Sequence, residues 1–275
     1  MTLVVGAKCK DGVVLVADKK VVESGDITSQ NKIIMLPSVW AGFSGAGLTD
    51  LFSKFISRNF INIEERKKKI IAEMIAKNPK VTQEEINSVD TPYIYVNQFV
   101  EDCEGILMGM KNDYQDITQK YPSSLGILLA FRAGTEAELH YLDIDGCLDS
   151  PRNTFMAIGS GSPYAQTFLK EIWNENITME QMAKLVYFII RHIETSKLDN
   201  NVGEGVQAFF VPKIDERWKQ IVQNGTTNGK LTEEEEKELE KYTILLDNDL
   251  AKRYPNIDNE VNDFRRNFSE LRKKL

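Results

Sequence analysis

The sequence predicts an α+β protein in which β-sheets are packed between helices. Apolar runs with the composition of strands occur at the start, middle and end of the first 212 residues, and pairs of amphipathic helices separate them. The order is strands, two helices, strands, two helices and a strand, so that elements of one kind follow one another. Such runs are typical of sheets covered by helices. With 275 residues and 42% hydrophobic content, the chain can bury a sizeable core.

Composition excludes several classes of protein. The net charge of -7 and the pI of about 5.1 argue against a general binder of nucleic acid or of anionic membranes. No window approaches the ~20 apolar residues of a membrane span, and the start lacks the basic and apolar regions of a secretion signal. Three scattered cysteines, Cys9, Cys103 and Cys147, indicate neither a disulfide framework nor a metal site. We expect a soluble cytoplasmic protein with no nucleic-acid or membrane partner.

The first predicted element is a hairpin. Two apolar runs flank Lys10-Asp11-Gly12, and Asp-Gly between β-branched runs is a strong hairpin signal. Valine and leucine occupy both faces, which is typical of strands buried on both sides. Because the apolar strand starts within the first residues, we expect no flexible leader before it, and we expect the amino terminus to lie at the edge of a core sheet.

Met1 is followed by a small residue, and its removal would make Thr2 the terminal residue. The hydroxyl and the α-amine of such a residue belong to the same amino acid. A terminal threonine therefore combines a nucleophile with its own base.

The next stretch, 19–31, is polar and is predicted to be a turn with short extended pieces. Residues 32–36 and 39–44 flank Pro37-Ser38 and predict a second hairpin. Gly45-Ala46-Gly47 then opens a helix whose apolar side chains recur at helical spacing through Phe60, and which extends or restarts through 64–75.

Residues 78–92 are polar and bounded by prolines, which predicts an inserted loop. Ser162-Pro163 and Thr178 are the expected amino-terminal caps of two later helices. The remaining predicted elements are a helix over 95–121, strands over 124–133, 138–144 and 155–158, a loop over 199–205 and a strand over 206–211.

Composition changes after Pro212, and we predict two units: a main domain over 1–212 and a charged helical extension over 213–275. Apolar residues at helical spacing support the helices: Leu239, Tyr242, Leu245, Leu246, Leu250, Val261, Phe264, Phe268 and Leu271. The extension is expected to pack on the main domain or on a neighbouring subunit. The run of glutamates at 233–236 is expected to be a solvated acidic face.

Three motifs together resemble the β-type subunits of the proteasome, which are N-terminal-nucleophile (Ntn) hydrolases. They are the opening stretch from Thr2 through Asp18 to Lys32-Ile33, then Gly42-Phe43-Ser44-Gly45, and Ala157 to Ala165 with its Gly-Ser-Gly turn. The match continues at the Asp199 loop before Val206. The opening motif and the Gly-Ser-Gly motif are moderate signals singly, but they occur in the family's order and near its spacing, from Thr2 to Val211. The resemblance implies a four-layer αββα sandwich, carried here with a C-terminal helical extension.

The resemblance also implies roles for individual residues. Thr2 would be the nucleophile, Asp18 a buried carboxylate, and Lys32 the cation that lowers the proton affinity near the threonine and relays its proton. Ser160 and Asp199 would hydrogen-bond around the terminal amine.

A backbone N–H at Gly45 or Gly47 would form the oxyanion hole. By position, Val21, Gln30, Ile34 and Phe43 would border the pocket for the side chain before the scissile bond, and would favour an apolar or neutral residue. The sequence shows no metal site and no phosphate-binding loop, so we expect no cofactor.

Each residue also has a structural interpretation. Taken singly, Thr2 is an ordinary second residue, Asp18 a strand end and Lys32 a surface lysine. Ser160, Asp199 and the glycines at 45 and 47 could serve only turns, caps and helix packing. His140 and His192 are expected to be structural.

The chain departs from the family at three places. Val202 follows the loop aspartate where the family has a serine, which removes one hydrogen bond near the amine. The insert at 78–92 and the extension after Pro212 lengthen the family core and could obstruct the stacking of rings. No propeptide precedes Thr2, so we expect maturation to need only removal of Met1.

Three functions fit these observations. The first is a threonine-type endopeptidase that acts on peptides or unfolded proteins through an acyl-enzyme on Thr2, alone or in a ring of like subunits. The second is a ligase or transpeptidase that passes the same acyl-enzyme to another amine. The third is a non-catalytic structural subunit of a proteasome-like assembly. Retention of Met1 would favour the third, because a blocked amine cannot act as the base.

Overall fold

A computed structural model describes residues 2–23, 26–36, 41–82, 96–120, 125–133, 135–144, 155–214, 241 and 244–260. Its largest sheet has five antiparallel strands in the order β11-β10-β2-β1-β9. The strands are β1 (Val4–Cys9), β2 (Gly12–Asp18), β9 (Phe155–Ile158), β10 (Val206–Pro212) and β11 (Leu245–Asp247). The predicted amino-terminal hairpin is therefore present, and β1 lies inside the sheet between β2 and β9.

A second sheet has four antiparallel strands in the order β5-β6-β7-β8. They are β5 (Ile33–Leu36), β6 (Ala41–Gly47), β7 (Leu125–Ala133) and β8 (Glu136–Asp143). The polar stretch before it forms the small hairpin of β3 (Lys20–Glu23) and β4 (Asp26–Ser29). The predicted turn at Pro37-Ser38 lies outside the described residues, as does most of the predicted insert at 78–92.

Six helices are described. They are α1 (Thr49–Lys77), α2 (Val96–Asp113), α3 (Gln115–Lys120), α4 (Ser162–Ile172), α5 (Met179–Thr195) and α6 (Leu250–Arg253). Thr178 caps α5 as predicted, in a reciprocal capping box with Gln181. Ser162 is instead the first helical residue of α4, and Gly161 precedes it as the cap position without a side-chain hydrogen bond.

Three apolar clusters show that the layers are stacked as helices, sheet, sheet and helices. One cluster joins the five-stranded sheet to α4, α5 and α6, and another joins the four-stranded sheet to α1 and α2. The third lies between the two sheets and contains Val4, Leu15, Leu128, Leu139 and Phe209. Both faces of both sheets are thus buried, which explains why β1 and β2 lack polar alternation. The α+β class and the αββα sandwich are confirmed.

Residues Gly45–Gly47 differ from the expectation. They were predicted to open a helix, but they are the last residues of β6, where they pair with Leu125–Ile127 of β7. The helix begins only at Thr49 and runs unbroken to Lys77. Their strand partner in β7 lies about 80 residues later in the chain, so the local sequence pattern could not indicate this pairing.

Leu245–Asp247 also differ, since this segment was assigned to a helical stripe and is a strand. It pairs with Ala208–Phe210 at the edge of the five-stranded sheet. Ile244 and Leu246 pack between the sheets, whereas Leu245 packs toward the helices. This alternation is the period of a strand, and three consecutive apolar residues, Ile244 to Leu246, satisfy either period. The predicted stripes at 261–271 and the acidic run at 233–236 lie outside the described residues.

The segment 244–260 is packed on the main domain. Leu250 and Ile257 are buried in the cluster that contains α5, and the Tyr187 hydroxyl of α5 donates a 2.8 Å hydrogen bond to Asp258. Cys9 and Cys103 are buried and free, and Cys147 lies outside the described ranges. None of the described helices is long and apolar enough to cross a membrane.

Candidate active site

Asp18 is the centre of the candidate site. It ends β2, its side chain has no exposed surface, and both carboxylate oxygens accept hydrogen bonds from backbone N–H groups. Oδ1 accepts from Leu3 at 2.8 Å, and Oδ2 accepts from Lys20 at 3.2 Å and from Gly203 at 3.1 Å. A buried carboxylate is stable only with such partners, so three chain segments are fixed around it.

Thr2 and Lys32 complete a hydrogen-bonded triangle with Asp18. The Thr2 Oγ1 lies 2.5 Å from the Asp18 Oδ1, to which it donates, and 2.5 Å from the Lys32 Nζ, from which it accepts. The Lys32 Nζ is also 2.8 Å from the Asp18 Oδ1. The three residues come from the chain start, β2 and the residue before β5, and the structure brings them into direct contact.

Burial lowers the pKa of the Lys32 ammonium below its ordinary value, because desolvation penalises the charged form. The charges of Asp18 and Asp199 oppose this shift but do not cancel it. A lysine with a lowered pKa can lose its proton closer to neutral pH, and it then accepts one from the hydroxyl beside it.

The turn after β9 encloses the backbone of Thr2. Gly159 has φ +95°, and a Cβ there would lie 2.1 Å from the Thr2 carbonyl oxygen. The Gly161 N–H donates to the same oxygen at 3.3 Å. Glycine is required at 159 both by its backbone conformation and by this close approach.

Ser160 lies between these two glycines, and its Oγ is buried with no hydrogen-bond partner among the described residues. The hydroxyl nevertheless affects the pKa of the Asp199 carboxyl. Burial alone would raise the pKa of Asp199, but the Ser160 hydroxyl and the hydrogen bonds from Asn201 lower it below its ordinary value. Ser160 and Asp199 therefore lie near each other at the amino-terminal end of the site.

The loop at 199–205 fits tightly against the site. Val202 has 1% exposure and packs in the cluster below Thr2, so no hydroxyl is present where the resemblance led us to expect a serine. Glu204 follows with φ 60°, and its N–H donates to Glu194 Oε1 at 3.1 Å. The Lys19 N–H contacts the carbonyls of Gly203 and Gly205, both at 3.1 Å.

A cavity of about 100 Å³ opens beside Thr2 and Lys32. Its wall includes the end of β6 and the start of α1: Gly45, Ala46, Gly47, Leu48, Thr49 and Phe52. Both predicted oxyanion glycines thus line the cavity. Gly47 has φ +127°, which favours glycine, and a Cβ at Gly45 would lie 2.5 Å from the Phe52 ring.

Two of the four predicted pocket residues, Val21 and Gln30, line this cavity. Ile34 and Phe43 do not. They are cross-strand partners, and Phe43 is completely buried in the cluster toward α1, where its ring meets Phe55 and Phe99. Consecutive residues of a strand face opposite sides, so a position estimated along the sequence can fall on the wrong face.

Sequence reasoning did not identify Thr49 or Phe52, which line the cavity, or Ser44 and Gln207, which hold the backbone of Lys32. The helical spacing of Phe52 gave a signal only for core packing. No three His, Cys, Asp or Glu side chains within the described ranges are grouped so that they could hold a metal ion.

Comparison with known proteins finds relatives among proteasome subunits. Proteasome subunit beta 1 of Pyrobaculum calidifontis is 24% identical over 218 residues, which cover 78% of this chain and 92% of that protein. Proteasome subunit beta 2 of Pyrobaculum islandicum is 26% identical over 216 residues, with the same coverage of 78% and 92%.

The Anbu (Gly-1) mutant from Hyphomicrobium sp. strain MC1 has a similar fold, with a TM-score of 0.65 over 100% of this chain and 98% of that chain. Its sequence identity of 12% limits that likeness to the fold. The family model for the proteasome subunit matches residues 2–80 and 104–207, more than half of the sequence. The chain therefore belongs to the proteasome subunit family, and its curated relatives are β subunits.

Proposed function

We propose that this protein is a threonine-type endopeptidase in which Thr2, freed by removal of Met1, forms an acyl-enzyme with its substrate. The observation that carries the proposal is the position of the Thr2 Oγ1, at 2.5 Å from both the Lys32 Nζ and the Asp18 Oδ1. Family membership agrees with a proteasome-like protein and implies assembly with like subunits.

The hydroxyl of threonine is a weak nucleophile until a base takes its proton. In the proposed reaction, a lone pair of the Thr2 Oγ1 attacks the carbonyl carbon of the scissile peptide bond. The hydroxyl proton leaves along Lys32 to the free α-amine of Thr2, which is the base. Asp18 holds Lys32 in place and is the counter-charge of its ammonium, while the charge that the transfer produces is on the α-amine.

The tetrahedral intermediate carries a negative charge on the former carbonyl oxygen. A backbone N–H at Gly45 or Gly47, on the wall of the cavity, would stabilise that charge. Collapse of the intermediate breaks the C–N bond, and the leaving amine takes the proton from the α-amine. Water then attacks the ester on Thr2, with the α-amine again as base. The bond between the acyl carbon and the Thr2 Oγ1 breaks, the α-amine returns its proton to the Oγ1, and the acyl product leaves as a carboxylic acid.

Ser160 and Asp199 would orient the α-amine. Ser160 supports this role because its buried Oγ has no hydrogen-bond partner in the described part of the chain. Val202 supplies no hydroxyl there, so the amine would depend on fewer partners than in the family pattern.

The cavity supports a preference for a neutral side chain before the scissile bond. Its lining is mainly apolar or uncharged, including Val21, Ala46, Thr49 and Phe52, and the charge of Lys32 is paired with Asp18. Peptides with an acidic residue at that position should be poor substrates, and fastest cleavage of such peptides would contradict this assignment.

Intact-mass spectrometry before and after an epoxyketone or β-lactone probe tests the proposal. We expect loss of Met1 and one covalent adduct, absent in Thr2→Ala and retained in Thr2→Ser, which keeps a hydroxyl. A retained Met1 with no adduct would overturn the enzymatic function. With an adduct present, the products formed from a peptide and excess acceptor amine separate hydrolysis from ligation.

A further inference from the structure

Gln207 is a buried amide next to the candidate site. It lies on β10, its side chain has no exposed surface, and its strand neighbours Phe209 and Val211 belong to the apolar cluster between the two sheets. Its side chain crosses from the five-stranded sheet to the residues at the start of β5, in the four-stranded sheet.

All the hydrogen-bonding capacity of this amide is used. Its Oε1 accepts from the N–H groups of Lys32 and Ile33, both at 2.9 Å. Its Nε2 donates to the Ile33 carbonyl at 3.1 Å and to the Asn248 Oδ1 at 2.7 Å. Two N–H donors on one side and two oxygen acceptors on the other fix the orientation of the amide, because a flip would set N–H groups against N–H groups.

Lys32 needs this support because it precedes the strand ladder. The pairing of β5 with β6 begins at Ile33, opposite Ser44, so Lys32 lies just before the first paired residue of β5. Two side chains hold its peptide groups: Gln207 accepts from the Lys32 N–H, and the Ser44 hydroxyl donates to the Lys32 carbonyl at 3.0 Å. The main chain that carries the Lys32 ammonium is thus held from both sheets.

Asn248 connects this arrangement to the C-terminal segment. It directly follows β11, whose pairing with β10 brings the end of the segment alongside Gln207. Its Oδ1 accepts the one Gln207 N–H that does not bind the Ile33 carbonyl. Asn248 is itself exposed, and its Oδ1 gives the buried Gln207 Nε2 an acceptor, which favours the orientation in which the Oε1 faces Lys32.

We propose that Gln207 is a positioning residue for Lys32, and that Asn248 of the C-terminal segment fixes the orientation of Gln207. The strand β11 with Asn248 is then part of the support of the candidate site. This inference rests on the proposed function, because the position of Lys32 affects a rate only if Lys32 moves the proton of Thr2.

The test uses the full-length chain with four substitutions. Asn248→Ala removes the acceptor, Asn248→Asp keeps an acceptor oxygen at the same place, and Gln207→Met removes all four hydrogen bonds at similar volume. Asn259→Ala is the matched control, since Asn259 is an exposed asparagine in the same segment. Two quantities are measured: amide hydrogen exchange at Lys32 and Ile33 by NMR, and the kinetics of covalent labelling of Thr2 by a β-lactone.

For Asn248→Ala we expect faster exchange at both amides and a maximal labelling rate lowered about threefold to tenfold, with unchanged probe affinity. Asn248→Asp should restore both quantities, and Asn259→Ala should leave them as in the wild type. Gln207→Met should lower the maximal rate by on the order of 100-fold if it folds, because small displacements of a reacting group have large effects.

The outcomes separate this inference from the proposed function. A wild-type chain that the probe does not label overturns the proposed function, and this inference with it. A labelled wild type whose Asn248→Ala variant shows unchanged exchange, or faster exchange at an unchanged labelling rate, overturns the inference alone. An equal fall of the maximal labelling rate in Asn248→Ala and Asn248→Asp would also overturn the inference, since the acceptor oxygen would then have no effect.

Discussion

The two sheets contribute to the candidate site in different ways. The five-stranded sheet supplies Asp18 and Gln207, which have no exposed surface and have hydrogen-bond partners on every polar side-chain atom. The four-stranded sheet and α1 supply the wall of an open cavity, with Ala46, Thr49 and Phe52 only partly covered or exposed. Asp18 and Gln207 are thus fixed by the interior of the molecule, whereas the cavity wall is partly open to solvent.

If this contrast is correct, substitution at Asp18 should have the largest effect. Asp18→Asn keeps the shape but leaves the Lys32 ammonium without its buried counter-charge. We expect labelling of Thr2 to fall by at least about 10³-fold and the free energy of unfolding to fall by about 3–5 kcal/mol. Labelling kinetics and urea unfolding measure the two quantities.

Asp113→Asn provides the control. Asp113 makes a 2.8 Å ion pair with Arg58 on the surface, and such pairs contribute less than about 1 kcal/mol. If Asp18→Asn and Asp113→Asn lower the free energy of unfolding equally, burial of the Asp18 ion pair does not increase its contribution to stability.

The pH dependence of labelling should reflect Lys32. Because burial lowers its pKa, the labelling rate should rise with pH as Lys32 loses its proton, with a midpoint below the ordinary value of 10.5. The unfolded chain holds this proton up to a higher pH than the folded chain does, so stability should also rise with pH between the lowered and the ordinary pKa. Measuring the labelling rate and the free energy of unfolding from pH 6 to 10 tests whether both rise with pH.

Lys32→Arg should remove the part of the rise that Lys32 causes, because a guanidinium stays charged throughout. The α-amine of Thr2 is the proposed base in both chains, so the difference between the two profiles is the quantity to measure. Identical profiles for the wild type and Lys32→Arg would show that Lys32 does not set the pH dependence.

A change in the cavity wall should have a smaller effect of a different kind. Phe52→Ala enlarges the cavity without touching the triangle of Thr2, Asp18 and Lys32, so we expect KM for peptides with an apolar residue before the scissile bond to change by about tenfold. The kcat should change much less. Steady-state kinetics on a set of short peptides measures this split.

Phe60→Ala is the matched control, since Phe60 lies on the same helix with 53% exposure. A kcat loss in Phe52→Ala as large as that in Asp18→Asn would show that the two regions do not have separate roles.

The smallest expected effect is at Glu204, in the loop that touches Asp18 through Gly203. Its φ of 60° is unfavourable for a residue with a side chain, so Glu204→Gly should stabilise the protein by up to about 1 kcal/mol with unchanged labelling. Lys197→Gly is the comparison, because Lys197 is the other non-glycine residue with positive φ among the residues that the structure describes. Destabilisation in Glu204→Gly would show that the side chain outweighs the backbone strain.

The sequence predicted best what depends on neighbouring residues. The Asp-Gly hairpin of β1 and β2 and the helix cap at Thr178 follow from local composition, and both are present. Of the predicted pocket residues, Val21 and Gln30 line the cavity, whereas Phe43 is buried on the other face of its strand.

What the sequence did not show depends on contacts between distant residues. Leu245–Asp247 form a strand only because β10 offers them a free edge, and their leucines fit a helix equally well. Gln207 is one polar residue in an apolar strand, and its function is visible only once Lys32, Ile33 and Asn248 surround it.

The pairing of β2 with β10 has a consequence for the time at which the protein could become active. Asp18 requires the N–H of Gly203, and the backbone of Lys32 requires Gln207, about 185 and 175 residues later in the chain. Synthesis proceeds from the amino terminus, so the nucleophile is made first and its supports are made among the last. Under the proposed function, an unfinished chain emerging from the ribosome would be inert toward neighbouring polypeptides, and completion of the fold would itself be the activating event.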